Sequence, residues 1–320
     1  MQKLTGMEWL KKHISKLEFT SSKFKKEIEK IKNIQPEIYN EFQPWTPLKL
    51  VLLNYALDTC TTIIRRKEFF KKMYYIDLFA GSGINKIKGS NDFLIGSPLV
   101  AVLNYSIDYD LMFFCEDDPD YSSALSARLA YFRKSSLKPI PKDCNLCLNQ
   151  IMKVVNNQNV YAFFFVDPYF MEFGWDSMKK ILNINRNYTI GRDILFTFMS
   201  GVIIRFIGLA KKGGSEGAGL TKFFGSESWK NVNSIDEAVK LYKTRILEET
   251  PQTVVKTIKV KSDKHGFCYH LFFITNKTKN ANPWLKSIDK AKREIEANSD
   301  KSVELALDLI KKRQADLSQF

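Results

Sequence analysis

Short apolar runs recur through the middle of the chain, and stretches with a helical pattern separate them. The runs are MYYIDLF (73–79), DLMFFCE (110–116), VYAFFFVDP (160–168) and DILFTFM (193–199), with a weaker candidate near 138–143. Nearly continuous apolar runs of this length are typical of parallel strands that are buried on both faces. Strands that alternate with helices predict an α/β fold with a doubly wound, mostly parallel sheet.

The sequence after the last run predicts how this sheet ends. The glycines of GLAKKGGSEGAGL (208–220) predict a flexible, exposed loop, and a helical pattern near 235–249 follows it. TVVKTIKVKSDKHGFCYHLFFIT (253–275) then predicts two strands that turn at His265 and Gly266. A hairpin of this kind adds an antiparallel pair to the edge of a parallel sheet.

Helical patterns with many charges lie at both ends of the chain. Between Trp9 and Ile31 the apolar residues recur at helical spacing among lysines. We therefore expect a basic helical extension over 1–44, a central α/β domain over 45–290 and a C-terminal helix over 291–320. The extension is either a cap packed on the domain or an arm that binds nucleic acid or a protein partner.

The charge of the chain adds a candidate partner. The 49 Lys and Arg residues against 35 Asp and Glu residues give a formal net charge of +14. Such an excess favours DNA or RNA as a partner before an acidic membrane surface, although a solvated lysine-rich surface gives the same number. Few, scattered cysteines fit a reducing compartment, and no signal peptide or membrane span is evident. We expect a cytoplasmic protein that binds nucleic acid and no membrane.

A glycine loop follows the first apolar run, in YYIDLFAGSGIN (74–85). A dinucleotide fingerprint and a P-loop both need a glycine at the position of Lys86, so neither phosphate-binding motif matches. S-adenosylmethionine fits better, because it carries a carboxylate, an ammonium group and a ribose but no phosphate. Its methionine end needs a close approach to the backbone, which the glycines allow.

Acidic residues at successive strand ends complete the prediction of this cofactor site. Asp77 is the candidate for the ammonium group, Glu116 for the ribose hydroxyls and Asp143 for a position near the adenine. The cofactor would lie across the carboxyl ends of the strands, where the strand order reverses. The complete predicted set is Asp77, Phe79, Ala80, Gly81, Gly83, Glu116, Asp117, Asp143, Cys144 and Asp167.

The order of these motifs resembles the class I methyltransferases, and DLFAGSG is similar to their first motif. More specifically, the order PWTPLKL, YYIDLFAGSG, GSPLVA, KDCN, FFFVDPY, FFG and YHLFFIT resembles the three-Cys-motif partner family over about residues 44–290. The resemblance implies a Rossmann-like class I methyltransferase fold and S-adenosylmethionine as the cofactor. It also implies a candidate protein partner, a radical-type enzyme that carries a three-cysteine motif.

FFFVDPYF ends the fourth strand with the candidate catalytic residues Asp167, Pro168, Tyr169 and Phe170. Methyltransferases that modify exocyclic or amide nitrogens carry a D/N-P-P-Y/F tetrapeptide at this position. An acceptor side chain orients the lone pair of a poorly nucleophilic amine, and an aromatic face stacks on a flipped base. The motif differs from both motifs that it resembles. Tyr169 replaces the second proline of D/N-P-P-Y/F, and Phe170 replaces the glycine of the three-Cys-motif partner family.

These residues predict an enzyme that methylates an exocyclic amino group of a nucleic-acid base, of the adenine N6 type. Asp167 would accept the hydrogen bond, and Tyr169 or Phe170 would stack on the base. Two alternatives stay open: a methyltransferase for a protein or small molecule, and a partner subunit with little catalysis of its own. Cys144 and Cys147 form a lone pair, so we expect no metal site.

Overall fold

The structure is a computed structural model that describes residues 6–43, 46–67, 70–87, 93–156, 159–184, 190–278 and 283–307. Its helices are α1 (Gly6–Lys23), α2 (Lys25–Lys32), α3 (Thr46–Lys67), α4 (Ser97–Tyr105), α5 (Pro119–Ala130), α6 (Cys144–Val155), α7 (Trp175–Leu182), α8 (Ser200–Lys211), α9 (Gly217–Phe224), α10 (Ile235–Glu249) and α11 (Pro283–Glu296). Its strands are β1 (Asn40–Phe42), β2 (Lys72–Asp77), β3 (Ile84–Ile87), β4 (Phe93–Ile95), β5 (Leu111–Cys115), β6 (Leu137–Ile140), β7 (Val160–Val166), β8 (Ile190–Phe198), β9 (Thr253–Ser262) and β10 (Phe267–Asn276). A 3₁₀ turn covers Glu227–Asn231, and residues 299–307 are helical.

A seven-stranded sheet in the order β6–β5–β2–β7–β8–β10–β9 forms the centre of the fold. Strands β6, β5, β2, β7 and β8 are parallel, and β10 runs antiparallel to both β8 and β9. The central strand β7, with the sequence VYAFFFV, is buried along its whole length, as expected where helices cover both faces. The predicted α/β fold, with a mostly parallel sheet and a terminal antiparallel hairpin, is confirmed.

Helices on both faces of the sheet divide the core into two layers. One layer packs α1, α3, α4, α5 and α11 on the sheet through residues such as Leu10, Leu53 and Ile288. The other packs α6 to α10 on the opposite face through residues such as Leu148 and Tyr242. Because the parallel strands share one direction, the carboxyl ends of β2, β5 and β7 meet at the same edge of the sheet.

The N-terminal helix α1 is part of this core. Trp9, Leu10, Ile14 and Leu17 are buried on one face of α1, and the helix contacts α3, α4 and α11. In the structure, α1 is therefore a cap packed on the domain and not a free arm. The division of the chain at residues 44 and 290 stays a prediction. None of the helices that the structure describes is long and apolar enough to cross a membrane.

A second, three-stranded sheet holds the N-terminal segment beside the glycine loop. β1 pairs in parallel with β3, and β3 pairs antiparallel with β4. Because β3 directly follows the glycine loop, this pairing brings Asn40 onto the loop, where its side-chain oxygen accepts a hydrogen bond from Ser82 N at 2.7 Å. The sequence does not predict this sheet, since strands of three or four residues leave no detectable period.

The prediction of a flexible loop over 208–220 is wrong. Helix α8 continues to Lys211 and α9 begins at Gly217, so only residues 212–216 connect the two helices. Leu220, Phe223 and Phe224 are buried on α9. Burial of three large side chains outweighs the helix penalty of a glycine, which is about 1 kcal/mol.

Candidate active site

The predicted glycine loop is a tight turn at the carboxyl end of β2. Gly81 and Gly83 have φ angles of +62° and +83°, in the region that residues with a Cβ rarely adopt. A Cβ on Gly81 would also lie only 2.6 Å from the side-chain oxygen of Asn40. Conformation and space both require glycine at this position, because the side chain of Asn40 packs directly against the backbone of the turn.

Backbone hydrogen bonds tie this turn to the two strands that flank β2. Leu78 N donates to Phe165 O of β7 at 3.0 Å, and Ala80 N donates to Cys115 O of β5 at 2.9 Å. Ala80 is buried, whereas Phe79 is half-buried. The turn is therefore fixed between the ends of β5 and β7, which carry the other predicted site residues.

The carboxyl group of Asp77 lies beneath the turn and has no exposed surface. It accepts hydrogen bonds from Tyr75 OH at 3.2 Å and from Phe79 N at 3.3 Å. Burial, the largest effect, raises its pKa from 3.8 to about 7; hydrogen bonds from Ser97 and Phe79 oppose the rise, and the charge of Asp167 adds to it. A cation bound at the turn would favour the ionised form of this carboxyl group.

Glu116, at the end of β5, binds the backbone of the glycine turn. Its carboxylate accepts hydrogen bonds from Gly81 N at 2.8 Å and from Asp118 N at 3.0 Å, and burial raises its pKa. A carboxylate offers about four lone-pair positions, so this one retains acceptors for hydroxyl groups. Asp117, also in the predicted set, is exposed next to it.

Asp143 lies at the end of the neighbouring strand β6 and caps α6. Its carboxylate accepts a hydrogen bond from Asn145 N at 2.8 Å. Glu116 N donates to Ile140 O at 3.2 Å, which places the end of β6 beside Glu116. Cys144 is buried in the first turn of α6, and burial raises the pKa of its thiol.

An ion pair between Lys49 and Asp167 joins α3 to the end of β7. Lys49 Nζ lies 2.7 Å from one carboxylate oxygen of Asp167 and 2.8 Å from the other. The two side chains are 10% and 19% exposed, so water screens this pair much less than a surface pair. Sequence reasoning missed Lys49, although a lysine inside the apolar run PLKLVLL indicates a buried charge that needs a partner.

The two aromatic residues of the motif lie in different surroundings. Tyr169 is 58% exposed, and its ring centroid lies 4.3 Å from that of Phe170. The half-buried Phe170 packs its ring on Phe206 of α8, at a centroid distance of 5.6 Å. Pro168, between the ion pair and the rings, is buried. Tyr169 therefore offers an open aromatic surface, and Phe170 anchors it.

Arg128 of α5 connects the N-terminal segment to the glycine turn. Its side chain is 1% exposed and donates to the carbonyl oxygens of Ile34, Gln35, Ile38 and Ser82 at 2.6 to 3.2 Å. Burial lowers its pKa to about 10. Sequence reasoning missed this residue, because an arginine in a helix is normally solvated and nothing local indicates four carbonyl partners.

Two cysteines that do not belong to the predicted site lie side by side. The sulfur atoms of Cys115 on β5 and Cys147 on α6 are adjacent, and their Cα atoms are 7.1 Å apart. This Cα distance exceeds the roughly 4.4–6.8 Å that a disulfide usually spans, so we describe the two as neighbouring thiols of the core. The spacing does not predict the pair, because the two residues are 32 positions apart in sequence.

A serine and a histidine also meet where the sequence indicates no such pair. Ser200 Oγ lies 2.9 Å from His270 Nδ1, which links the start of α8 to β10. Both residues are buried, and burial lowers the pKa of His270 to about 4, so the ring is neutral and shielded from solvent. In the part of the chain that the structure describes, no group of three or more His, Cys, Asp or Glu residues could hold a metal ion.

A cavity of about 430 Å³ lies outside this site, between α1, α3 and α4. Asn54, Asn104 and the Lys16–Asp58 ion pair, with an N–O distance of 2.6 Å, line it. None of the residues predicted for the cofactor or for catalysis lines this cavity. The strand ends and this cavity are therefore separate features.

No family model matches the chain, and no curated protein matches it. The resemblance to the three-Cys-motif partner family, and with it the predicted radical-type partner, thus has no support beyond the motifs themselves.

Solved structures do resemble this chain. Protein LPL1258 from Legionella pneumophila, assigned to DUF519, has a TM-score of 0.50 and 12% identity, over 78% of this chain and 91% of that chain. A rRNA methylase from Streptococcus thermophilus has a TM-score of 0.38 and 9% identity, over 69% and 93% of the two chains. TYW2 from M. jannaschii, in complex with AdoMet, has a TM-score of 0.33 and 13% identity, over 68% and 77%. The first likeness shows a shared α/β fold of the Rossmann-like kind; the other two are too weak to add to it.

Proposed function

We propose that the protein is an S-adenosylmethionine-dependent methyltransferase for an exocyclic amino group of a nucleic-acid base, of the adenine N6 type. The observation that carries this proposal is the grouping of Asp77, Glu116 and Asp167 around the Gly81 turn, at the adjoining ends of β2, β5 and β7. Asp77 at the end of β2 suits the amino-acid part of the cofactor, and Glu116 at the end of β5 suits its ribose. Asp167 at the end of β7 suits the amine of the substrate.

The chemistry of these groups fits S-adenosylmethionine. The buried Asp77 has a raised pKa, and the ammonium group of the cofactor would stabilise its charged form. Gly81 adds no side chain of its own to the turn beside Asn40, and Glu116 has acceptors left for ribose hydroxyls. When bound, the cofactor supplies an electrophilic methyl group, so the protein needs to orient a nucleophile rather than create one.

The DPYF residues would orient that nucleophile. Asp167 would accept a hydrogen bond from the target amino group and direct its lone pair away from the ring of the base. Lys49 holds the Asp167 carboxylate at both oxygens. Tyr169 would stack on the base with its open ring. The net charge of +14 supports a polyanionic substrate.

The direct test supplies the protein with methyl-labelled S-adenosylmethionine and, in separate reactions, mixed DNA, mixed RNA and soluble protein. We expect label in nucleic acid, and nucleoside mass spectrometry should find it on an exocyclic nitrogen. Asp167→Ala should lose this activity. Asp176→Ala, which removes an exposed carboxylate from α7, is the matched control and should retain it.

Two outcomes would contradict the proposal at different steps. Label only in protein would leave the methyltransferase and refute the nucleic-acid base as its substrate. The absence of both a heat of binding and a thermal shift with millimolar cofactor would refute the assignment as a methyltransferase.

A further inference from the structure

Helix α8, whose Phe206 packs on Phe170 of the DPYF motif, also presents an exposed face. Arg205, Leu209 and Lys212 are exposed and follow one another at spacings of four and three residues, so they share one side of the helix. We call these three residues the α8 face. Leu209 is 48% exposed, and it and Tyr169 are two of the few exposed large apolar side chains of the described chain.

The packing of Phe206 shows which side of α8 meets the DPYF motif. Phe206 contacts Phe170 at a centroid distance of 5.6 Å, so this side of α8 faces the DPYF motif. At 3.6 residues per turn, Leu209 lies about 60° and Arg205 about 100° round the helix from Phe206, so the α8 face borders the side that meets the motif. Ile204 packs against the core, as Phe206 also does.

The charges of the α8 face have no acidic partner. Helix α8 contains no acidic residue, and among the described residues neither Arg205 nor Lys212 has an ion pair or a side-chain hydrogen bond. A third cation flanks the motif on α9, because Lys222 lies over Gly174, where an added Cβ would come within 3.3 Å of Lys222 Cε. Glu172, two positions after Phe170, accepts a hydrogen bond from Phe170 N at 2.7 Å.

We infer that the α8 face binds the single-stranded nucleic acid that flanks the target base. Arg205 and Lys212, separated by about 10 Å along the helix, contact phosphates of that strand, and Leu209 and Tyr169 contact its bases. Cations with interleaved aromatic and apolar residues are the usual composition of such surfaces. The inference rests on the proposed function, because it takes the base held by Asp167 to belong to a nucleic acid.

The test measures binding of fluorescein-labelled, random 20-nucleotide single-stranded RNA and DNA by anisotropy between 50 and 200 mM KCl. We expect Arg205→Ala/Lys212→Ala to lower the slope of log affinity against log salt by about 1.4, which corresponds to two phosphate contacts. At 100 mM salt its affinity should be about tenfold lower. Lys286→Ala/Lys301→Ala removes the same charge from exposed positions of the C-terminal helices and should change the slope by less than half as much.

Heparin, a polyanion without bases, is the second probe. Tyr169→Ala should weaken oligonucleotide binding about tenfold through lost stacking and leave heparin binding unchanged. Equal losses in the two double variants would overturn the inference, because net charge alone would then explain binding. An equal loss of heparin and oligonucleotide binding in Tyr169→Ala would overturn the contact with bases. If the natural protein methylates nucleic acid but the Arg205→Ala/Lys212→Ala variant binds oligonucleotides normally, only this inference is refuted. If the natural protein transfers no methyl group to nucleic acid, the proposed function is refuted.

Discussion

At the scale of single residues, the Lys49–Asp167 pair couples the stability of the fold to the proposed chemistry. Asp167→Ala should lower single-turnover methyl transfer by roughly 10²-fold or more, the scale of one positioned polar group at a reacting centre. Cofactor affinity should change less, because Glu116 and the glycine turn lie on other strands. The variant also leaves Lys49 without its partner at 10% exposure, which should cost about 3 kcal/mol of unfolding free energy.

The double variant Asp167→Ala/Lys49→Met separates these two effects. Removing the orphaned charge should recover most of the unfolding free energy in urea titrations, because a buried ion pair replaced by apolar groups is often neutral. Methyl transfer should stay low. Recovery of the transfer rate together with the stability would show that Asp167 serves only the fold, and would refute its role as the acceptor.

Asp77 predicts a proton linkage to cofactor binding. Its pKa of about 7 lies well above 3.8, so the carboxyl group is largely protonated at pH 6 in the free protein. A bound ammonium group should lower this pKa and release a proton. Titration calorimetry at pH 6, in two buffers of different ionisation enthalpy, should therefore report release of up to one proton. Asp77→Asn should abolish it, and release that persists in this variant would assign the proton to another group.

The same pKa shift makes a prediction for the free protein. A group with a raised folded pKa contributes stability that is present below its unfolded pKa and is lost as the pH rises through its folded pKa. For Asp77 this window runs from about 4 to about 7. Asp77→Asn should therefore be more stable than the natural protein at pH 8 and should lose that advantage at pH 4. Identical pH dependence of the two unfolding curves would argue against an uncharged Asp77 in the fold.

The site residues that sequence reasoning identified share one property, since each follows the end of an apolar run. Asp77, Glu116 and Asp167 could be placed because parallel strands bring their carboxyl ends to one edge. Lys49 and Arg128 could not be placed in this way. Each makes its contacts with an element more than 40 residues distant, such as Asp167 for Lys49 and Ser82 for Arg128, and no local period encodes such a contact.

At the scale of elements, Arg128 acts as a clamp between α5, the segment at 34–38 and the glycine turn. Arg128→Met keeps the length of the side chain but removes the donors to four carbonyl oxygens. We expect amides of residues 34–43 to exchange at least tenfold faster and cofactor affinity to fall, because a group left without its hydrogen bonds costs about 1–3 kcal/mol. Hydrogen exchange followed by mass spectrometry measures the first effect, and calorimetry the second.

Two further variants keep this test informative. Arg133→Met changes an exposed arginine that follows the same helix and should alter neither exchange nor affinity. Arg128→Lys retains the charge but has a smaller set of donors, so it should fold and give an intermediate effect. Unchanged exchange at 34–43 in both Arg128 variants would refute the clamp.

Elements with a strong period were predictable, and elements defined by distant packing were not. The apolar runs and the hairpin at 253–275 were found as strands because their residue types and lengths fit a buried sheet. The glycine-rich segment 208–220 was wrongly predicted as a flexible loop, because glycine content indicates only local backbone freedom. The burial of Phe223 and Phe224, which packs α9 on the core, cannot be inferred from it. The small sheet of β1, β3 and β4 forms by pairing residues 40–42 with residues more than 40 positions away, which no local period encodes.

At the scale of the whole molecule, the charge and the packing of the N-terminal segment support different conclusions. Its lysines suggested an arm, yet its apolar face lies in the same core layer as α3 and α11. Net charge describes the surface and carries no information on which face of a helix is buried. The predicted boundary at residue 44 can therefore be tested by the cooperativity of unfolding. The test asks whether residues 1–44 unfold alone or together with the rest of the chain.

The variant Leu10→Ala tests whether residues 1–44 unfold together with the rest of the chain. Leu10 is 2% exposed in the core that α1 shares with α3, α4 and α11, so Leu10→Ala should lower the unfolding free energy by about 2–5 kcal/mol. The matched control Lys11→Ala changes the neighbouring exposed position and should stay within about 0.5 kcal/mol. If α1 belongs to one cooperative unit, urea titrations followed by tryptophan fluorescence and by circular dichroism should shift together in Leu10→Ala as one transition. A separate early transition that leaves the main midpoint unchanged would instead make residues 1–44 an independently unfolding extension.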